Sequence, residues 1–187
     1  MKRIGLFGGT FDPPHIGHLE IGKTVLKSLE LDAVWYIPTF EPPHKDAATA
    51  TPHQRLEMLK ILLEGQERLS ISTIEYEREG LSYTIDTVQA LLDDHPDTSF
   101  YFIIGGDMIA YLPNWHRVEE LKQLIQFVGV RREGYSIDDE QGILKVNIPE
   151  LPYSSTDIRK AISANQPVEG LTDGVYDYIR ENKLYER

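Results

Sequence analysis

The chain has 187 residues, 41% of them hydrophobic and 26% charged, which is typical of a soluble globular protein long enough to bury a sizeable core. It contains no cysteine, and this excludes disulfides, zinc fingers, iron–sulfur clusters and thiol nucleophiles. The formal charge of −11 argues against a general nucleic-acid or anionic-membrane binder, because those proteins use broad positive surfaces, but it allows a small anionic ligand.

The start of the chain, MKRIGLFGG, does not resemble a secretory signal. Its apolar stretch is far shorter than the roughly 7–15 residues of a signal-peptide core. No segment approaches the ~18 apolar residues of a membrane span. With the lack of cysteine, these features predict a cytoplasmic protein.

Strand and helix patterns alternate along the chain. The predicted strands are Arg3–Gly8, Ala33–Pro38, Leu69–Ile74, Phe100–Ile104, Phe127–Val130 and Val146–Ile148. The predicted helices are His15–Leu29, Thr51–Glu64, Thr84–Asp94, Val118–Leu124, Thr156–Ser163 and Asp173–Asn182. This alternation predicts an α/β fold with a Rossmann-like, doubly wound parallel sheet in one domain of residues 1–187, in which residues 152–187 form a C-terminal helical segment.

Several polar or glycine-rich loops directly follow predicted strands. They are the GGTF turn at Gly8–Phe11, the PPHK loop at Pro42–Lys45, the Gly105-Gly106-Asp107 step and the loop after Val130. Because ligands bind at the carboxyl ends of the strands in such sheets, we expect these loops to converge on one edge.

The sequence GLFGGTFDPPHIGH at residues 5–18 is the first candidate site. Gly8 and Gly9 allow backbone amides to approach a ligand closely, and the following helix N-terminus attracts anions. His15 and His18, three residues apart, lie on one helix face. A metal pair, a catalytic base and a phosphate clamp all remain open, and an isolated HxxH is more often structural. The stretch is neither a Walker A loop nor a GxGxxG fingerprint, which weakens a hydride-transfer interpretation.

A second candidate lies near the other end, in the sequence Ser154-Ser155-Thr156-Asp157-Ile158-Arg159. Ser154 or Ser155 can cap a helix, whose N-terminal amides and hydroxyls can hold phosphate. Arg159, one turn later, offers a planar fork of donors suited to phosphate oxygens. The alternative is an ordinary capped helix with a surface arginine.

The two candidates together carry a family resemblance. GGTFDPPHIGH resembles the (H/T)xGH signature of the nucleotidyltransferase superfamily, and SSTDIR resembles its SSTxxR signature, in the expected order. With PPHK, the GGD at Gly105–Asp107 and PNWHR at Pro113–Arg117, essentially the whole chain resembles the bacterial nicotinate mononucleotide adenylyltransferases. The resemblance implies transfer of the adenylyl group of ATP to nicotinate mononucleotide (NaMN), giving nicotinate adenine dinucleotide (NaAD) and pyrophosphate.

The resemblance also implies roles for individual residues. The catalytic set is His15, His18, Lys45 and Arg159. The ATP-binding set is Gly8, Gly9, Thr10, Phe11, His15, Gly17, His18, Gly105, Asp107, Ser154, Ser155, Thr156 and Arg159. The NaMN-binding set is Gly8, Thr10, Lys45, Tyr83, Thr84, Gly106, Asp107 and Trp115, where Trp115 stacks on the pyridine ring and amides near Thr84 meet its carboxylate. Mg²⁺ is expected to be held by the phosphates, with no dedicated protein ligands.

Other functions stay open at this point. A lysine in a loop, an aspartate before a helix and a tryptophan are each more often structural than functional. The nearest enzymatic alternatives are a nicotinamide-preferring enzyme and another small adenylyl- or cytidylyltransferase. A catalytically idle nucleotide-binding module is the alternative from a different class. We expect no nucleic-acid or membrane partner, and the sequence leaves open whether the chain is a monomer or a homodimer.

Overall fold

A strand-then-helix order runs through the chain. The computed structural model describes residues 1–41, 48–78, 80, 82–132 and 142–186. The strands in this part are β1 (Lys2–Gly9), β2 (Ala33–Pro38), β3 (Leu69–Ile71), β4 (Thr98–Gly105), β5 (Gln126–Arg132) and β6 (Ile143–Ile148). The helices are α1 (Ile16–Ser28), α2 (Pro52–Leu63), α3 (Ile74–Arg78), α4 (Thr84–Asp94), α5 (Gly106–Ile109), α6 (Val118–Leu124), α7 (Ser155–Ser163) and α8 (Asp173–Glu181), with a 3₁₀ turn at Leu112–Asn114.

The strands form one sheet of order β3-β2-β1-β4-β5-β6, and every neighbouring pair is parallel. The strand order reverses between β1 and β4, so the crevice beyond their carboxyl ends is where this class of sheet binds ligands. The prediction of a doubly wound parallel α/β fold is confirmed.

Apolar side chains cover both faces of the sheet. One buried cluster joins Phe7 and Ile103 to residues of α1, α2 and α8, such as Val25, Met58 and Ile179. The cluster on the opposite face includes the alternating β4 residues Phe100, Phe102 and Ile104, together with residues of α4 and α6. Burial on both faces explains why the FYFII run of β4 carries no polar alternation.

The predicted strand Leu69–Ile74 is too long. β3 ends at Ile71, and the amides of Tyr76 and Glu77 donate to the Thr73 carbonyl, which begins the helical turn of α3. Both α3 and α5 were missed because elements of five and four residues are shorter than the window in which helical periodicity can be recognised.

The predicted helix cap at Thr51 is confirmed, and of the two candidate caps Ser154 and Ser155 it is Ser154 that caps α7, which begins at Ser155, one residue before the predicted start at Thr156. The Thr51 hydroxyl accepts the Gln54 amide at 3.3 Å, while the Gln54 side chain accepts the Thr51 amide at 2.9 Å. Ser154 Oγ accepts the Asp157 amide at 3.1 Å and so caps α7. None of the helices in the described part of the chain is long and apolar enough to span a bilayer.

Candidate active site

Among the described residues, two adjoining cavities open at the carboxyl ends of β1 and β4. The small cavity has a volume of about 210 Å³, and the large cavity about 920 Å³. Both are lined by the same stretch of β1 and the turn after it, Phe7–Thr10, and by Gly105 at the end of β4. A ligand in one cavity therefore lies across a shared glycine-rich wall from a ligand in the other.

The large cavity gathers residues from both ends of the chain. Of the residues predicted to bind ATP, those lining it are Gly8, Gly9, Thr10, Phe11, His15, Gly17, His18, Gly105, Ser154, Ser155, Thr156 and Arg159. Helices α1 and α7 both begin at this cavity, and the N-terminus of each carries the partial positive charge of a helix start. Hydrogen-bond donors of this kind suit an anionic ligand.

The two histidines are held in a fixed relation at the start of α1. His15 is the N-cap residue and is buried, and its ring centroid lies 3.8 Å from that of His18. The His15 backbone amide donates to His18 Nδ1 at 3.1 Å. Because Nδ1 accepts this hydrogen bond, the neutral His18 ring carries its proton on Nε2. Nε2 is the nitrogen that can donate to an anion.

Two glycines of this loop lie close against aromatic rings. A Cβ on Gly17 would lie 2.8 Å from the His15 ring, and a Cβ on Gly9 would lie 3.0 Å from the Phe11 ring. Phe11 itself has φ +52, in the left-handed region, and its buried ring contacts that of His18 edge-on at 5.0 Å. Any side chain at position 17 would displace His15, so the glycine maintains the histidine geometry.

The SSTDIR segment docks directly onto the DPP turn of the first segment. Ser155 Oγ donates to the Pro13 carbonyl at 2.9 Å. Arg159 Nη1 donates to the Asp12 carbonyl at 2.7 Å, which fixes the guanidinium beside the cavity. The hydroxyl cap and the arginine of the second segment therefore belong to the same cavity wall as the histidines.

Asp12 and Arg55 hold the loops of this cavity wall in place through hydrogen bonds. The sequence analysis did not identify either role. Buried Asp12 accepts the amides of Thr49 and Ala50 at 2.8 and 3.1 Å, and the Tyr185 hydroxyl at 2.6 Å. Arg55 is fully buried and donates to four backbone carbonyls at 2.7 to 3.3 Å. Those carbonyls belong to Thr10, Thr39, Phe40 and Ala50. The turn after β1 is thus tied to the loop after β2.

The small cavity is lined by aromatic residues and by the start of α4. Trp115 is half-buried, with edge-to-face contacts to Phe102 at 5.8 Å and Phe127 at 6.2 Å. Tyr83 and Thr84 also line the cavity, and the helical hydrogen bonds of α4 begin with the amides of Asp86 and Thr87 on the Tyr83 carbonyl. The amides of Thr84 and Ile85 precede that first bond. The cavity thus combines an indole with a helix start suited to an anion.

Two further side chains of the small cavity were missed by the sequence analysis. Exposed His116 packs against the Tyr83 ring at 4.6 Å, and both line the cavity. Glu75 is buried in the cavity wall and accepts the Thr87 hydroxyl at 3.0 Å. Burial raises the pKa of Glu75 to about 7, against the lowering effects of Thr87, the Phe40 amide and Arg78.

Comparison with known proteins decides the family. A family model described as cytidylyltransferase-like matches residues 6–161. The nicotinate-nucleotide adenylyltransferase of Bacillus subtilis is 45% identical over 188 residues, covering 100% of both proteins. A probable nicotinate-nucleotide adenylyltransferase of Geobacillus thermodenitrificans is 48% identical over 187 residues, covering 99% of this chain and 87% of that protein.

This chain belongs to the nicotinate-nucleotide adenylyltransferase family. The fold agrees with that assignment. A structure of the Plasmodium falciparum nicotinic acid mononucleotide adenylyltransferase, complexed with NaAD, matches with a TM-score of 0.86 over 99% of this chain and 98% of that chain. The sequence identity of the two chains is 23%, so this match supports a shared fold and nothing further.

Not every residue expected from the family is placed in the two cavities. Lys45, with the PPHK loop, lies outside the described residues, and only the backbone of Asp107 is described, in α5. Gly106 is the first residue of α5, directly after Gly105, and is not among the described residues that line either cavity. Of the set expected to bind NaMN, those lining the small cavity are Gly8, Thr10, Tyr83, Thr84 and Trp115.

Proposed function

We propose that this enzyme transfers the adenylyl group of ATP to NaMN, forming NaAD and pyrophosphate. The observation that carries the proposal is the pair of cavities that share Phe7–Thr10 and Gly105. One cavity is lined by hydrogen-bond donors suited to phosphate, and the other by aromatic side chains and the start of a helix. A dinucleotide needs this arrangement, since its two nucleosides are joined through phosphates.

The chemistry follows from the ionisation of the substrates. The nucleophile is a phosphate oxygen of NaMN, which is already anionic near pH 7 and needs no general base. It attacks the α-phosphorus of ATP, the new P–O bond forms, and the bond to the β-phosphate oxygen breaks to release pyrophosphate. Catalysis then depends on alignment and on stabilising the negative charge that develops on the transferred group.

The large cavity supplies donors for that charge. His18 Nε2 carries a proton because Nδ1 accepts the His15 amide, and the Arg159 guanidinium is oriented by the Asp12 carbonyl. We assign charge stabilisation to His15, His18 and Arg159, and we keep for Lys45 the role of a cationic phosphate contact, as the family resemblance implies. No covalent enzyme intermediate is required.

A divalent cation, Mg²⁺ in our proposal, fits this donor set only if the substrate phosphates hold it. The polar groups that line the large cavity are mainly N–H and hydroxyl donors, and the Asp12 carboxylate already accepts the amides of Thr49 and Ala50 and the Tyr185 hydroxyl. When bound, the ion would neutralise phosphate charge. His15, His18 and Arg159 would meet the remaining oxygens.

The small cavity supports nicotinate as the base of the mononucleotide. Trp115 offers an indole for stacking on the pyridine ring, and the start of α4 at Thr84 offers backbone amides for its carboxylate. We also propose a cytoplasmic location, which the cysteine-free composition supports.

A pyrophosphate-release assay with purified protein tests the proposal. With ATP and Mg²⁺ present, we expect rapid release with NaMN, slower release with nicotinamide mononucleotide (NMN), and NaAD as the dinucleotide product of NaMN. Binding of ATP without pyrophosphate formation from any mononucleotide would contradict the proposal and indicate an idle nucleotide-binding module. Equal efficiency with NMN would contradict the nicotinate preference.

A further inference from the structure

A buried carboxyl group in the small cavity has no role in the chemistry above. Glu75 is 7% exposed and lines this cavity from α3. Its Oε1 accepts the Thr87 hydroxyl of α4 at 3.0 Å. Among the described residues, its buried Oε2 makes no hydrogen bond of normal geometry, although the Phe40 amide lies close enough to lower the pKa of the carboxyl. Oε2 therefore keeps hydrogen-bonding capacity that a polar group of a ligand in the cavity could use.

The surroundings of Glu75 favour its neutral form. Burial raises its pKa to about 7 and outweighs the Thr87 hydroxyl, the Phe40 amide and the Arg78 charge, which lower it. Tyr76, the adjacent titratable group on α3, is uncharged near pH 7, and burial raises its pKa further. The titratable side chains that line the same cavity are Tyr83 and His116.

We propose that Glu75 is a specificity-determining residue of the small cavity, whose neutral carboxyl donates a hydrogen bond from Oε2 to the carboxylate on the pyridine ring of NaMN. This inference rests on the proposed function. An ionised Glu75 would repel that carboxylate, so NaMN binds the protonated enzyme. The uncharged amide of NMN places no such requirement on Glu75.

Proton uptake is the direct consequence. Because burial raises the pKa of Glu75 to about 7, part of the enzyme is ionised at pH 7, and NaMN binding should take up a fraction of a proton per site. NMN carries the same phosphate without the carboxylate and should take up less. For the same reason, the ratio of kcat/KM for NaMN to that for NMN falls above pH 7, approaching about tenfold per pH unit.

Two variants and one control variant isolate the role of Glu75. Glu75→Gln keeps an Oε1 acceptor for Thr87 and presents an Nε2–H donor at every pH, so its substrate ratio should be flat with pH and its proton uptake lost. Thr87→Val removes a hydrogen bond that favours the ionised form, so the midpoint of the fall should move to higher pH. His116→Gln removes the nearby imidazole and should keep the wild-type slope.

The experiment is a pH series of both kcat/KM values, with calorimetric titration of NaMN in buffers of different ionisation enthalpy. A wild-type slope in Glu75→Gln, loss of that slope in His116→Gln, or an unchanged midpoint in Thr87→Val overturns the inference. If Glu75→Gln does not fold, Thr87→Val decides the question. Wild-type protein that forms no NaAD contradicts the proposed function itself, whereas turnover of NaMN with a ratio flat in pH overturns only the role of Glu75.

Discussion

His18 has two functions in the structure, and they can be separated by substitution. Its Nδ1 accepts the His15 amide at 3.1 Å at the start of α1, while its Nε2–H is directed to substrate phosphate in our proposal. Asparagine places an acceptor oxygen near the Nδ1 position but reaches no further. Glutamine places an amide donor near the Nε2 position but has no acceptor at Nδ1.

The expected magnitudes differ for the two functions. Loss of one preorganised donor to transition-state charge costs about 2.7–4 kcal/mol, or roughly 10²–10³-fold in kcat. Loss of the hydrogen bond to the His15 amide costs about 0.5–1.5 kcal/mol of unfolding free energy. For a chain of this size each kcal/mol lowers Tm by about 2–4 °C.

We therefore expect His18→Asn to lose at least about 10²-fold in kcat with little change in Tm. His18→Gln should lose less in kcat but unfold at a lower temperature. The assay is pyrophosphate release at saturating ATP and NaMN, with thermal unfolding followed by circular dichroism. Near-normal turnover of His18→Asn, or the reverse ranking of the two variants, would refute the division of roles.

Three further predictions follow from the same structure. Gly105→Ala should keep the wild-type Tm, because the added methyl meets nothing within 4 Å. It should raise KM for both substrates, because Gly105 lines both cavities, and unchanged KM values would contradict this. Arg55→Met should lose about 3–5 kcal/mol of unfolding free energy in denaturant titration, because it removes charged hydrogen-bond donors from four backbone carbonyls. Lys60→Met, on the same helix, is the exposed control and should lose at most about 1 kcal/mol. The pKa of Glu75 is about 7 in the folded state against an ordinary value of 4.5, so the folded state binds more protons than the unfolded state between these pH values. The contribution of Glu75 to the free energy of unfolding therefore falls as pH rises, by at most about 1.4 kcal/mol per pH unit. Glu75→Gln should lack that slope in unfolding titrations from pH 4.5 to 7.5, and an identical slope in both proteins would count against the shifted pKa.

The parts of the fold that the sequence predicted are those with strong local signals. The apolar run of β4 requires burial on both faces, and the cap at Thr51 contains both halves of a capping box. The two signature segments were recognisable because each places many specific residues in a short stretch. Their meeting at the Asp12 and Pro13 carbonyls follows from the sheet topology.

The parts that were missed depend on contacts distant in sequence. Tyr185 reaches Asp12 across a separation of 173 residues, which no local pattern reveals. Arg55 had a usable signal, since it shares the apolar stripe of α2 with the buried Met58, Leu59 and Leu62 at helical spacing. Glu75 had none, because α3 is a five-residue helix that begins where the strand pattern was read to continue.

The most direct test of the central claim is a crystal structure of this protein with NaAD bound. We predict the pyridine half in the small cavity, stacked on Trp115 with its carboxylate at the α4 amides and Glu75, and the adenylyl half in the large cavity with its phosphate within hydrogen-bond distance of His18 or Arg159. A pyridine ring outside the small cavity, or phosphates that contact neither side chain, would contradict the account.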